Sequence, residues 1–344
     1  MEKISARGGC FCWLDGRKGQ ARCMISYIDL HSDTITMMHC PMENLERSRR
    51  MVNIERMRRG YTQVQCFSAY VPTGHYPKAV RRVLPWRRFC FIADKKDWLL
   101  KRHSDVLFPI LSTGDLDSCS EAGKIGVLFT IEDAGVIGKC ERRLDEAYER
   151  GVRIASLTWN HENTLGFPNS RDASVMKKGL KPFGARMVEK MNDIGIVVDV
   201  SHLSDGGFWD VVRISKKPFV ATHSNSRNLT GHPRNLTDDM IRALAEKGGV
   251  MGLNFAPAFL TEDGKRESRI RDMVRHVLHI RNVGGSGVLA IGSDFDGITG
   301  NLEIGTPARM PRLAHALKKA GLTVSEIEAM WQGNVRRVLG EAWR

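Results

Sequence analysis

Residues 25–34 read ISYIDLHSDT, an apolar run of strand-forming residues that ends on a histidine and, two positions later, an aspartate. Residues two apart on an extended strand point to the same side, so His31 and Asp33 can grip one ion together. The pattern recurs along the chain: GVLFTI stops at Glu132, IVVDVS at His202, PFVAT at His223 and VLAIGS at Asp294. In a barrel of parallel strands the chemistry sits at the C-terminal strand ends. Isolated metal-type side chains at the ends of apolar runs therefore look like ligands converging on one mouth, and point to a two-metal hydrolase.

Outward from that stretch, β-rich runs at 25–30, 62–69, 126–131, 153–158, 195–200, 219–222, 250–254 and 288–292 alternate with helical periodicity, clearest at 182–193, 237–246, 268–283 and 324–339. Such alternation predicts parallel βαβ units. About eight strands then predict a closed (β/α)8 TIM-type barrel of the metal-dependent hydrolase architecture. Thr237 and Ser325 read as parts of N-terminal caps, and Gly248 and Gly340 as helix stops. With 344 residues and 42% hydrophobic composition, the chain is long enough for one such barrel with insertions. No repeat, low-complexity tract or Pro/Ser-rich linker divides it. Residues 24–344 are expected to form a single catalytic barrel domain, and residues 1–23, which show no periodic pattern, a disordered extension.

No apolar stretch approaches the roughly 18 to 20 residues that cross a bilayer, and the N-terminus lacks the continuous apolar segment of a secretory signal. A cytoplasmic protein with no membrane partner is expected. All eight cysteines fall within the first 140 residues without a CxxC pair, which fits reduced thiols better than a disulfide framework. Cys10-Phe-Cys12 is a weak candidate for a soft metal. The net charge of +13 raises the question of a polyanionic partner. Its clusters, at 46–50 with Arg56, Arg58 and Arg59, and at Arg81, Arg82, Arg87 and Arg88, lack interleaved aromatics and any nucleic-acid-binding signature. A solvated basic face is expected, with no nucleic acid bound.

Taken singly, each strand-end residue is as readily a structural cap as a ligand. In Ser293-Asp294-Phe295-Asp296-Gly297 the second carboxylate and the glycine could equally make a tight turn. Taken together, imidazoles and carboxylates suit zinc or a similar borderline metal better than calcium or magnesium. Glu132 carries two oxygens that could bridge cations roughly 3.5 to 4 Å apart. His39, His75, His103, His276, His279 and His315 have no partner motif and read as surface or packing residues.

The order and wording of IDLHSDT, FTIEDAG, GLKPFGARMVEKMNDIGIVVDVSHLS, VATHSNSR, GHPRNL, GLNF and IGSDFDGI resemble the membrane (renal) dipeptidase family in its bacterial cytoplasmic form. The similarity runs from about Met24 to the C-terminal GNVRRVL. The resemblance implies a (β/α)8 barrel that hydrolyses free dipeptides with a pair of zinc ions (Zn2+) per chain, usually as a homodimer. It implies that His31 and Asp33 hold one ion and His202 and His223 the other, with Glu132 bridging them. Asp294 would accept the proton of the bridging water and pass it to the leaving amine, and Arg234 would bind the substrate's C-terminal carboxylate. These roles make chemical sense: an amide amine leaves poorly unless protonated, and a guanidinium offers a planar, two-pronged grip on a carboxylate.

Three departures bear on the pocket wall. Where many relatives carry a substrate-facing His after Leu-Thr, this chain reads Trp159-Asn160-His161, so His161 or Asn160 is the candidate substrate contact. The family's Asn-Phe-Tyr becomes Asn254-Phe255-Ala256, removing a phenol, and the two glycines after the bridging Glu become Ala134-Gly135. Two alternatives stand beside a dipeptidase. One is a related barrel amidohydrolase acting on a lactam, cyclic amide or phosphoester, which the HxD rather than HxH opening disfavours. The other is a non-catalytic, basic nucleic-acid-binding protein, motivated by charge alone and predicting salt-sensitive binding.

Overall fold

The computed structural model describes residues 4–5, 10–14, 21–38, 43–264 and 266–343. The eight runs form the eight strands of a closed barrel: β1 Tyr27–Asp29, β2 Thr62–Tyr70, β3 Ile125–Glu132, β4 Val152–Ser156, β5 Val197–Asp199, β6 Val220–Ala221, β7 Val250–Leu253 and β8 Leu289–Ile291. Each pairs in parallel with its sequence neighbour, β2 with β3 from Val64↔Gly126 to Tyr70↔Glu132. β8 closes the ring on β1 through Ile291↔Asp29. A short strand not evident from the sequence, Leu107–Pro109, pairs with the start of β3.

Every strand contributes a buried apolar residue to the barrel interior: Ile28, Val64 with Cys66, Leu128, Ile154, Val197, Val220, Val250 and Ala290. The last helix, Asn334–Ala342, plugs the N-terminal end with Val335, Val338, Leu339 and Ala342. A larger apolar layer lies between strands and surrounding helices, leaving the C-terminal mouth as the polar end. At that mouth β6, β7 and β8 approach closely: a Cβ on Gly252 or Gly292 would lie 2.0 or 1.7 Å from the Thr222 carbonyl oxygen.

Thr237 caps the helix Asp238–Glu246 by accepting from the Met240 amide, and Gly248 follows it with φ 70°, as its position in the sequence suggested. The C-terminal helix differs from the expected single run over 324–339. Thr323, not Ser325, is the N-cap, in a reciprocal capping box with Glu326. The helix then widens into a π turn over Ala329–Gly333 before resuming as Asn334–Ala342. That turn keeps Met330 and Trp331 buried and brings the Asn334 amide to the carbonyls of Ser286 and Leu289. Gly340 lies inside the resumed helix rather than stopping it, because the helix continues until Ala342 is buried.

Of the N-terminal segment, Ile4–Ser5, Cys10–Leu14 and Ala21–Ile25 pair as a small antiparallel sheet. The rest of the expected extension, with His39 and Cys40, lies outside the described residues. Of the remaining unassigned histidines, His276 is buried in packing, His279 pairs with Asp238 and His315 is exposed.

Candidate metal centre

Buried aspartates hold the strand ends in place. Asp29 accepts from the His31 and Ser293 amides and the Ser293 hydroxyl, tying β1 to the turn after β8. Asp199 does the same beyond β5 and β6, accepting from the Ser201 and Thr222 amides and from the hydroxyls of Ser156 and Thr222. Each holds the backbone beside residues from which His31, His202, His223 and Asp294 project.

These side chains meet at one point. His31 Nε2 lies 3.4 Å from Glu132 Oε2, 3.8 Å from Asp33 Oδ1 and 3.9 Å from Asp294 Oδ1. His202 and His223 place Nε2 atoms 2.9 and 3.7 Å from Glu132 Oε1. Glu132 thus has one oxygen toward His31 and Asp33 and the other toward His202 and His223, and both groups are compact enough to hold an ion. His31, Asp33 and Glu132 each leave a buried polar atom without a hydrogen-bond partner. Such atoms are costly unless something else satisfies them.

The hydrogen bonds fix the histidine tautomers. Thr222 spends its one hydroxyl proton on Asp199 at 2.6 Å, so it can only accept from His223 Nδ1, 2.7 Å away. Asn160 Oδ1, an acceptor, sits 2.8 Å from His202 Nδ1. Both rings therefore carry their proton on Nδ1 and aim Nε2 lone pairs at one another across 3.0 Å, beside a carboxylate. Two lone pairs and an anion in contact repel unless a cation lies among them.

Charge tells the same story. Burial, with the charges of His31 and Arg234 nearby, drives His223 well below the ordinary range and His202 down to about 4, so both are neutral donors. Burial works against a charge on His31 as well, yet the carboxylates of Glu132, Asp33 and Asp294 push it up to about 10. An excess of negative charge strong enough to hold that proton is equally suited to a divalent cation. Burial foremost, then Glu132, raises Asp294 to about 6 against the opposing pull of His31, Asn254 and Arg234. Arg234 is buried and brought down to about 10 by desolvation. It donates to the His223 carbonyl and the Ser224 hydroxyl, lies over Phe259, and leaves Nε unpaired.

All seven residues singled out for metal, proton transfer or carboxylate binding come to this mouth. Asn160 arrives as the partner of His202. His161 packs instead against His75 and Trp159, and the Trp159 ring centroid lies 6.2 Å from that of His202. Sequence reasoning passed over Asn254, whose amide donates to Asp294 Oδ2 at 3.0 Å. It also passed over Asp199 with Thr222, and Asp133, which accepts from Thr73, Gly135 and Asn163 to lock the loops beside Glu132. The available signal was the same for all: a polar residue inside or just after an apolar strand.

A closed parallel barrel with paired ligand groups at its C-terminal mouth is the structure of a metal-dependent hydrolase. The chain belongs to the membrane dipeptidase family (peptidase family M19), whose family model matches residues 21–343, and it is accordingly a metallopeptidase of the dipeptidase type. It is 37% identical over 242 residues to an uncharacterised protein from the region 5′ of pqqA in Klebsiella pneumoniae, covering 68% of this chain and 88% of that one. An uncharacterised dipeptidase of Schizosaccharomyces pombe is 28% identical over 303 residues, covering 83% and 71%. A Rhodobacter sphaeroides metallopeptidase, solved with a phosphinate mimic of L-Ala-D-Ala, superimposes with TM-score 0.84 at 26% identity over 93% of this chain and 99% of that one. Despite the family's name, no helix among the described residues is long and apolar enough to cross a membrane.

Proposed function

We propose that the chain hydrolyses free dipeptides at a binuclear zinc centre, with His31 and Asp33 on one ion, His202 and His223 on the other and Glu132 between them. The observation that carries this reading is the convergence of the His202 and His223 Nε2 atoms on one another and on Glu132, a geometry that a bound cation would satisfy. The chemistry expected of a bound zinc pair is Lewis acidity toward the scissile carbonyl and a water acidic enough to supply hydroxide near neutral pH.

Asp294, raised toward neutrality and oriented by Asn254, takes the attacking water's proton and delivers one to the departing amine. Arg234 anchors the substrate's C-terminal carboxylate; its buried guanidinium has no carboxylate ion-pair partner among the described residues and keeps one N–H unpaired. Asn160 serves the centre through His202, and His161, beside Trp159, forms the substrate-facing wall over that histidine. The free thiols Cys66, Cys90, Cys119 and Cys140 support a cytoplasmic setting. Leu84, Phe91 and Trp98, seven apart on one helix and all exposed, support a homodimer.

Purified protein assayed on L,L and L,D dipeptides, with metal content measured on the same sample, tests the reading. Chelator-sensitive cleavage with a pair of ions per chain supports it. Bound metal without cleavage of any dipeptide overturns the substrate, and failure to bind zinc overturns the mechanism.

A further inference from the structure

Beside the metal cluster opens a cavity of about 1090 Å³. Three of its wall residues neighbour the machinery in sequence: Pro233 precedes Arg234, Ala256 lies two past Asn254, and Ile298 follows Gly297, which is set against Asp33 and Asp294. The cavity therefore adjoins Arg234 and the turn that faces the metal cluster, within reach of a dipeptide held between them. Ala256 contributes only a methyl group to the wall on that side.

The cavity is cationic. Arg171, Lys177, Arg227 and Arg266 line it, against the carboxylates Asp205 and Glu262. Both carboxylates are engaged: Asp205 takes the two-pronged grip of Arg227 at 2.7 and 2.8 Å, and Glu262 accepts from the Gly231 amide. Arg171 and Lys177 form no ion pair with any described residue, and among the described residues the Arg266 guanidinium hydrogen-bonds the Thr299 hydroxyl and no carboxylate. His232, on the wall between them and Arg234, registers the field. Burial first, then Arg234, Arg171 and Arg227, bring it down to about 4, so it is neutral and adds nothing to the positive excess that the arginines and lysine set up over the two carboxylates.

We infer that this site selects dipeptides whose second residue carries an acidic side chain, which Arg171, Lys177 and Arg266 would hold while Arg234 holds the main-chain carboxylate. The inference rests on the dipeptidase reading and refines it. A partly exposed cluster of this kind gains a modest Coulomb advantage per contact, screened by salt. An effect of roughly tenfold between charged and neutral side chains is the expected scale.

The experiment compares kcat/KM for Ala-Glu, Ala-Gln and Ala-Lys in the zinc-loaded enzyme at low and high salt. Ala-Glu should exceed its isostere Ala-Gln by about tenfold, Ala-Lys should fall below both, and the ratio should shrink with salt. The variant Arg171→Ala/Lys177→Ala should bring the Glu/Gln ratio close to one. Arg171→Glu should move preference toward Ala-Lys, which loss of packing alone would not do. Equal rates for Ala-Glu and Ala-Gln, or a ratio that survives the double variant, would overturn the inference while leaving the dipeptidase reading standing. If no dipeptide is cleaved, that reading fails first, and calorimetric titration of Ala-Glu against Ala-Gln then decides the cavity's preference directly; equal affinities sink it.

Discussion

At the scale of single residues, the centre depends as much on what orients its side chains as on the side chains themselves. A ligating histidine is set by the partner of its other nitrogen, and in the proposed centre Thr222 would set His223 and Asn160 would set His202. Asn160→Ala frees the His202 ring to rotate and to exchange tautomers. We expect zinc affinity to fall by roughly 10- to 100-fold, read by competition with a chromogenic chelator, and unchanged affinity would remove Asn160 from this role. Asp294 stands apart because the role proposed for it is proton transfer. Asp294→Asn keeps the shape and the Asn254 contact but cannot carry a proton, so kcat should drop by about 10²- to 10⁴-fold with both metals retained, and a rate near that of the parent enzyme would dismiss the shuttle. His31, Glu132, His202, His223 and Asp294 were legible in the sequence because each ends an apolar run, and Asp33 because it lies two past His31 on the same side. Asn160 was visible only as a substrate candidate, since no pattern in one dimension shows which histidine nitrogen an amide will face.

At the scale of elements, the strand-to-loop transitions are the strained parts. Asp133, His202, Asp294 and Asp296 all adopt φ between 62° and 72°, a region that disfavours side chains by about 1–3 kcal/mol each. All four follow barrel strands at the mouth, and hydrogen bonds hold them there, as Asp296 is held by Thr34, Met51 and Val52. In the same turn, a Cβ on Gly297 would sit 2.4 Å from both Asp33 Oδ2 and Asp294 Oδ1. Gly297→Ala should therefore displace both carboxylates and lower kcat/KM by on the order of 10²-fold, while circular dichroism shows the barrel intact; normal kinetics would mean the turn gives way instead. The helix Ile270–Gly284 contributes a different tie. His276 accepts from the Ser226 amide and bonds the Leu260 carbonyl. Burial holds it down to about 4, against 6.5 for a free histidine. The folded form stays neutral where the unfolded chain takes up a proton, so this contribution is complete above pH 6.5 and is lost as pH falls toward 4, by up to about 3 kcal/mol. Urea unfolding at pH 7 and pH 4.5 should show a smaller acid loss for His276→Gln than for the parent, and identical losses would refute the assignment. Strands and most helices were readable from period and caps, whereas the left-handed turns and the π turn at Ala329–Gly333 were not, because tertiary hydrogen bonds rather than local propensity dictate them.

For the whole molecule, the buried cluster is a stability problem that metal binding would resolve. The barrel is filled by apolar side chains below and surrounded by an apolar layer, so Asp33, Glu132 and Asp294 are buried together at its mouth with two imidazole lone pairs turned on one of them. Taking charges out of water is costly unless they are compensated, and the described residues supply only the His31 proton and the more distant Arg234. A ligand that binds the native state alone stabilises it by mass action, about 4 kcal/mol for a site at a thousand times its dissociation constant. Two such sites give about 8 kcal/mol. With an unfolding entropy of roughly 2.1 cal/mol/K per residue, this corresponds to a melting temperature higher by on the order of 10 °C. Chelated protein should melt lower by about that amount and recover when zinc is restored but not when magnesium is added, since magnesium prefers water and oxygen ligands to imidazole. Calorimetry with metal analysis on the same samples measures both quantities. A melting point indifferent to chelation, in protein shown to have lost its metal, would mean that the cluster is compensated from within and that the opposed lone pairs do not require an ion.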